Sequence, residues 1–399
     1  MPRILFAAWH LYLDQSNGAS ISTRELLLGL SRRGWDVETF CATGNDYSPQ
    51  LGLEELFRAQ RLSLKAPGTA LDSERSLIPF KDEGIDSVVF RPKTASRIPT
   101  REDGRAFLAA LERTVAVLKP DIYATYGGYW AGNQIVEIGR RGGAKVVAFL
   151  HNLLYSDKSY FQNVDLTIVP SSYARGVYSE RLGIELAVVP PLIDLAKVVP
   201  DEADASSAPE PKCVLYVNPE VGKGAYWFAK IVEETGKRRP EIPFLVVKGR
   251  TGFGELVKSG VNWGVANNLR TIENTDLARE FYGASKVALV PSLAPESFGR
   301  IVAEAQSAGV PVVASNRGAL PETVGDAGVV LPIPKRFVDA PGTVPSAEDV
   351  APWVDEIVRL WDDPAYFAVR RAKGLARARE WETDAVLDRA ETVLRQLLN

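Results

Sequence analysis

The sequence predicts an α/β protein built from two doubly wound, parallel-sheet domains, and three observations lead there. The chain has 399 residues, beyond the size at which one hydrophobic core usually divides. Short apolar runs alternate with helical stretches from end to end, the pattern of parallel strands covered on both faces. The alternation also restarts after residues 199–212, an Ala-, Ser-, Pro- and acid-rich segment without large apolar side chains that cannot build a core. The expected division is a first domain at 1–198, a linker at 199–211, a second domain at 212–380 and a final helical segment at 381–399.

In the first half, the apolar run 3–9 reads as a buried strand, 14–22 as a turn-rich loop, 21–33 as a helix stopped by Gly34, and 36–41 as a second strand. Asn17 and Gly18 lie in the loop at the carboxyl end of the first strand, where doubly wound sheets bind ligands. The same residues also suit a plain turn with a helix cap. Residues 44–101 resolve into no clear period; Tyr47-Ser48-Pro49 and Arg91-Pro92-Lys93 mark loops.

A helix at 102–118 places Phe107, Leu108, Leu111, Val115 and Leu118 on one face and ends before Pro120. Then come a strand at 121–126, a turn at Gly127-Gly128, a helix at 130–140 and a strand at 144–150 that runs into His151. One of two histidines in the chain, His151 can serve a ligand at the strand end or be a packed, satisfied side chain. For His10, which also follows a strand, the packed reading is preferred. A strand at 165–170, a helix at 173–182 capped by Ser171-Ser172 and a strand at 185–189 complete this half.

In the second half, a strand at 214–217 leads through a turn carrying Lys223 and Gly224 into a helix at 225–237. Strands at 244–247 and 269–272 follow, the first ending in Lys248-Gly249-Arg250. A helix at 276–284 precedes the stretch around which this half is organised: strand 287–290, turn residues Pro291, Ser292 and Pro295, and a helix from Phe298 to Ala308 stopped by Gly309 and Pro311. Ser297 is the expected N-cap, leaving the amides of Phe298, Gly299 and Arg300 at a positive helix end suited to a phosphate. Gly299 permits close approach of a ligand to the backbone. Glu296 and Glu304 bracket that tip, roughly 10–12 Å apart along the helix rise; as hydrogen-bond acceptors they suit hydroxyls rather than phosphates. Sugar, diphosphate and ribose in line have about that length, so the physical reading is a nucleotide-sugar cradle. After a strand at 311–315 come the loop Arg317-Gly318-Ala319-Leu320-Pro321-Glu322 and helices at 346–360, 365–381 and 383–398. The basic run Arg370, Arg371, Lys373, Arg377 and Arg379 reads as a solvated face rather than a membrane patch.

Glu296 and Glu304 match the E-x7-E pattern, and the block from Val290-Pro291-Ser292 through Gly309-Val310-Pro311 to Gly318, Pro321 and Glu322 resembles the donor half of the retaining GT-B glycosyltransferases of family four. The resemblance implies two Rossmann-like domains facing across a cleft and transfer of a sugar, with retention, from a nucleoside-diphosphate sugar to an acceptor hydroxyl. It implies donor binding by Asn17, Gly18, Lys223, Glu296, Ser297, Phe298, Gly299, Arg300 and Glu304, and catalytic roles for His151, Lys223 and Glu296. A lysine at a strand's carboxyl end can neutralise a diphosphate leaving group. The family carries both an arginine and a lysine in that loop; here Asn218-Pro219 stands in the arginine region, and Arg300, Lys248 and Arg250 are candidate substitutes. Competing readings are a sugar-nucleotide epimerase or hydrolase on the same architecture, and a binding protein that has lost catalysis.

Composition narrows the class. A net charge of −3 gives no basic field for nucleic acid. Two cysteines far apart argue against a disulfide framework and for a reducing, cytoplasmic setting. The few histidines and cysteines argue against a zinc site, and Asp362-Asp363 makes no convincing metal motif, so binding without a metal or other cofactor is expected. No apolar run is long enough to span a bilayer, although peripheral membrane contact stays open. The expected partners are a nucleotide-sugar donor and a small-molecule, glycan or lipid-linked acceptor whose identity the sequence does not name.

Overall fold

The computed structural model describes residues 1–46, 52–62, 68–126, 131–199, 213–249, 251–265, 269–273, 275 and 278–399. The glycine pair 127–128, residues 200–211 of the linker, Arg250 and the expected start of a helix at 276 lie outside them. The chain divides into two units, Met1–Leu192 with Val386–Asn399, and Ile193–Ala385. The first division therefore falls at Leu192 rather than at 198.

Unit 1 is organised on a nine-stranded sheet. Its strands are β1 Arg3–His10, β2 Asp36–Gly44, β3 Thr69–Ala70, β4 Ser76–Asp82, β5 Ile85–Arg91, β6 Ile122–Thr125, β7 Lys145–Phe149, β8 Leu166–Val169 and β9 Ala187–Val188, in the order β3-β4-β5-β2-β1-β6-β7-β8-β9. β1, β2 and β5 to β9 run parallel. The edge departs from that rule, because β4 pairs antiparallel with both β5 and β3. Its hairpin turns at Glu83 (φ 46°) and Gly84 (φ 108°), the backbone of a tight two-residue turn. Sequence reasoning missed this hairpin within 44–101, where Asp82-Glu83-Gly84 was its available signal.

Alternate side chains of β1 supply the two faces of the sheet: Ile4, Phe6 and Ala8 join one apolar cluster, Leu5, Ala7 and Trp9 the other. The C-terminal helix Thr383–Leu398 contributes Val386, Leu387, Ala390 and Leu394 to the first cluster. Its Glu391 accepts from Trp35 Nε1 at 2.7 Å and pairs with Arg33 at 3.0 Å. Gly29 lies beneath it: a Cβ there would stand 2.7 Å from Leu387 Cδ2.

Unit 2 carries a parallel six-stranded sheet, β10 Cys213–Val217, β11 Phe244–Val247, β12 Leu269–Ile272, β13 Ser285–Val290, β14 Val312–Ser315 and β15 Val329–Leu331, in the order β12-β11-β10-β13-β14-β15. The chain winds outward from β10 to β11 and β12, then returns to β13 on the other side of β10. The carboxyl ends of β10 and β13 are thus the switch point at which such sheets bind ligands. The basic run on the helix Pro364–Ala378 is not a solvated face throughout. Arg377 donates to the Glu322 and Thr323 carbonyls at 2.6 and 3.1 Å, and Arg370 to those of Asp326 and Gly328 at 3.1 Å. Arg377 thereby supplies donors to the carbonyl end of the helix Leu320–Val324. No helix among the described residues is long and apolar enough to cross a membrane.

Candidate functional site

The loops after β10 and β13 form the first constellation. Asn218 leaves β10 in the left-handed region (φ 61°), the chain makes a short 3₁₀ turn at Val221–Lys223, and Gly224 (φ 84°) starts the helix Ala225–Arg238. A Cβ on Gly224 would lie 2.0 Å from the Pro291 carbonyl oxygen, so only glycine lets the two loops pack. The Gly222 carbonyl then accepts from the amides of Leu293 and Ala294 at 3.0 and 2.9 Å. These bonds lock the loop after β13 onto the loop after β10.

Lys223 and Glu296 meet across that junction. Lys223 Nζ donates to Glu296 Oε1 at 2.6 Å, and Ser292 Oγ donates to the same oxygen at 2.7 Å. The Glu296 backbone is fixed from the other side, where its carbonyl accepts from the Ala319 amide at 2.8 Å. It also forms a parallel bridge with Gly318, a residue at φ 62° whose Cβ would stand 2.2 Å from the Glu296 oxygen. Lys223 is over a third exposed, Glu296 mostly covered.

The helix beyond Glu296 begins later than expected. It spans Arg300–Ser307, and its N-cap is Gly299 at φ 92°, a residue with no side chain to cap it. Ser297 is not the cap, and Phe298 lies before the helix. The physical reason is the left-handed turn at Gly299, which only glycine adopts readily and which redirects the chain after Ser297. Phe298 anchors the turn: its ring meets Trp381 edge-on at 5.9 Å and its carbonyl accepts from Thr323 Oγ1 at 2.5 Å. What remains is a positive helix tip whose cap residue is a glycine and whose Val302 amide turns back to the Gly299 carbonyl at 2.9 Å.

Glu304, one turn along, is held at both oxygens. Arg300 Nε donates to Oε1 at 3.0 Å and Tyr282 Oη to Oε2 at 2.8 Å. Burial, reinforced by the Glu304 charge, pushes the Tyr282 hydroxyl well above its usual range, so it stays a donor. Arg300 pairs with Glu304, and Lys248 with Glu273. Among the described residues the buried Asn218 side-chain oxygen has no hydrogen-bond partner, and a Cβ on Gly249 would come within 2.3 Å of it. Sequence reasoning missed Ser292 and Tyr282. Ser292 carried a signal only as a turn residue; Tyr282 carried none beyond its place in a helix.

The carboxyl ends of unit 1 are arranged differently. Asn17 caps the helix Gly18–Arg32: its Oδ1 accepts from the Ala19 amide at 2.8 Å and its Nδ2 donates to Asp46 Oδ2 at 2.7 Å. Gly18 is the first residue of that helix, which starts earlier than the sequence suggests. Asp14 accepts from Ser16 N and Oγ at 2.8 and 2.6 Å and from the Asp46 amide at 2.7 Å, and lies 2.8 Å from His10 Nε2. Burial alone would raise the Asp14 carboxyl, but the bonds from His10, Ser16 and the Asp46 amide hold it below the usual range. Among the described residues, His10, Asp14 and Asp46 are the one group with metal-capable atoms within 4.8 Å of one another. Their carboxylates are engaged instead by Ser16, Asn17 and Arg97, whose Nε lies 2.7 Å from Asp46 Oδ1.

His151, after β7, lies 3.0 Å from Thr23 Oγ1 of the first helix through Nε2, with the Tyr126 ring edge-on at 6.2 Å. It borders a small, mainly apolar hollow lined by Ser22, Leu26, Phe149, Ile168 and Pro190. The structure therefore gathers Lys223, Glu296, Gly299, Arg300 and Glu304 in unit 2, and Asn17, Gly18 and His151 at strand ends of unit 1.

A doubly wound unit with a glycine-capped helix tip and a Lys–Glu pair at its switch point defines a candidate anion site of the nucleotide-binding class. Comparison with known proteins adds the family. The profile of Glycosyl transferases group 1 matches residues 211–363, and that of Glycosyltransferase Family 4 matches residues 16–197. The D-inositol 3-phosphate glycosyltransferase of Mycobacterium tuberculosis is 27% identical, over 93% of this chain and 78% of that protein. In fold, the chain is similar to sucrose-phosphate synthase of Thermosynechococcus elongatus (TM-score 0.71, 18% identity, 100% of this chain and 99% of the other). It is also similar to Anabaena HepE in complex with UDP and glucose (TM-score 0.70, 15% identity, 99% and 100%). The chain belongs to the group 1, family-four glycosyltransferases of GT-B fold.

Proposed function

We propose that this protein is a retaining glycosyltransferase that moves a sugar from a nucleoside-diphosphate sugar to an acceptor hydroxyl without a metal ion. The observation that carries the reading is the left-handed Gly299 at the helix tip, with Glu296, bonded to Lys223, on one side and Glu304 on the other. The first-turn amides and Lys223 hold the diphosphate and stabilise its charge as it departs, usually the largest catalytic contribution. Glu296 accepts from the sugar hydroxyls through the carboxylate oxygen not bonded to Lys223 and Ser292. Glu304 accepts from the ribose hydroxyls, its oxygens fixed by Arg300 and Tyr282 but each able to take a second donor. Because positive charge at the leaving group comes from Lys223 and the helix end, a cation is not required there.

The two carboxylates flank a helix tip and do not form the close pair that a double-displacement glycosidase uses. Retention is instead assigned to attack on the sugar's leaving-group face, the departing phosphate taking the acceptor proton. His151, held by Thr23, is assigned to orienting sugar or acceptor. HepE binds UDP and glucose, and the mycobacterial relative is named for an inositol phosphate acceptor; nucleotide sugars and phosphorylated polyols therefore head the substrate screen.

The test is a thermal-shift panel of UDP-, GDP-, ADP- and TDP-sugars, followed by turnover with and without acceptor in excess chelator, with the product anomer read by NMR. One donor should stabilise the protein by mass action, and transfer should persist in chelator with retained configuration. Donor binding without turnover, release of sugar without acceptor, inversion, or loss of activity in chelator would each contradict a named part of the reading.

A further inference from the structure

We propose that Ser292 is a positioning residue that keeps the Glu296 carboxylate aimed at the sugar when Lys223 turns to the diphosphate. The inference rests on the donor-site reading above and adds a residue to it.

Without donor, Lys223 and Ser292 share one oxygen of Glu296, at 2.6 and 2.7 Å. The two donors differ in kind. Lys223 carries its ammonium on a long, partly exposed stem, and a diphosphate is a stronger claimant for that charge than one carboxylate. Ser292 has one hydroxyl hydrogen and is 1% exposed, so its hydroxyl has no solvent alternative. Its backbone is fixed too: the Ser292 carbonyl accepts from Ser315 Oγ at 2.6 Å, and Ser315, at the end of β14, is fully buried. The amides that follow, of Leu293 and Ala294, are tied to Gly222.

Ser292 is therefore a rigid donor and Lys223 a transferable one. A terminal carboxylate torsion is broad and soft when nothing pins it. As Lys223 shifts toward the phosphates, Ser292 holds Oε1 in place and leaves Oε2 facing the sugar. The same arrangement separates two jobs: nucleoside diphosphate without sugar is held by Lys223 and the helix tip, whereas the sugar's share of binding depends on Glu296 being aimed.

The test compares wild type, Ser292→Ala and Ser292→Thr. Binding is measured by calorimetry for UDP-glucose, UDP-N-acetylglucosamine, GDP-mannose and ADP-glucose, and for UDP, GDP and ADP alone. Removing a buried hydrogen bond to a charged group should weaken nucleotide-sugar binding by about tenfold or more. Affinity for the nucleoside diphosphate and the melting temperature should stay at wild-type values, and Ser292→Thr, which keeps the hydroxyl, should recover most of the loss. Unchanged nucleotide-sugar affinity in Ser292→Ala, or an equal loss for the sugar-free diphosphate, overturns the proposal. A wild type that binds none of the donors overturns the donor-site reading and this inference with it; a binding wild type with an unaffected Ser292→Ala overturns this inference alone.

Discussion

Two helix starts in this molecule, each following a parallel strand, solve the same problem in opposite ways. At Gly18–Arg32 in unit 1, Asn17 spends its oxygen on the Ala19 amide and its nitrogen on Asp46. At Arg300–Ser307 in unit 2, a left-handed glycine takes the cap position and brings no side chain to it. The carboxylates nearby differ in the same sense. Asp14 and Asp46 are bonded by donors from their own loops, while Glu296 is aimed by two donors that both act on one oxygen. Unit 1 closes its helix start with a side chain that is itself bonded to a carboxylate; unit 2 closes its helix start with a glycine and holds a carboxylate beside it by one oxygen. Under the proposed function, this difference makes unit 2 the place to test for anion binding.

Four experiments can break or sharpen that contrast. The largest effect belongs to Glu296→Ala, which should lower transfer about a hundredfold or more, the scale of removing one group aimed at the reacting centre. Because the same change frees Lys223, nucleoside diphosphate should bind at least as tightly as before. Parallel loss of both in calorimetry would mean that Glu296 holds the loop rather than the sugar. Next, Lys223→Ala should weaken nucleoside diphosphate binding roughly tenfold to a hundredfold through loss of a charge-assisted contact, with an unchanged melting temperature; undiminished affinity would place the anion elsewhere.

The remaining two effects concern unit 1 and should appear in stability, not in nucleotide binding. Asn17→Ala removes a cap and should cost about 1 kcal/mol in denaturant unfolding, with diphosphate affinity intact; a large binding defect would show that the Asn17 tip also holds the ligand. The smallest effect is the acid dependence carried by Asp14. Its folded-state carboxyl lies below the usual range, so the ionised form is the stabilised one. That contribution is complete above the unfolded value of about 3.9 and is lost as pH falls through the lower folded value. The stability gap between wild type and Asp14→Asn should therefore close on acidification below about pH 4; a gap that stays constant from pH 7 to pH 3 would show that Asp14 does not act through its charge.

How much of this was legible follows from where the physics is local. The strands β10, β11, β13 and β14 are short, mainly apolar and bounded by turn residues, so their parallel arrangement and the loops at their carboxyl ends could be read directly. Glu296 and Glu304 were singled out because they bracket a helix tip at E-x7-E spacing, and Lys223 because it lies at a strand's carboxyl end. The cap was misplaced because Ser297 has the chemistry of an N-cap, whereas the backbone angle that displaces it belongs to Gly299. Tyr282 and Ser292 escaped notice because their role depends on which carboxylate their hydroxyls reach, a matter of packing between elements. The edge hairpin at Glu83 and Gly84 was passed over because the segment around it shows no single period. Arg377 looked like surface charge until Glu322 and Thr323 supplied carbonyls for it to face.

The most direct test of the central claim is a crystal structure of the protein with its nucleotide-sugar donor bound. The account predicts a phosphate oxygen within about 3 Å of first-turn amides at Gly299 and Arg300, Lys223 turned toward the diphosphate, and a Glu296 oxygen on a sugar hydroxyl. A donor whose phosphates rest on the Asn17 helix start, with the Gly299 tip empty, would contradict it.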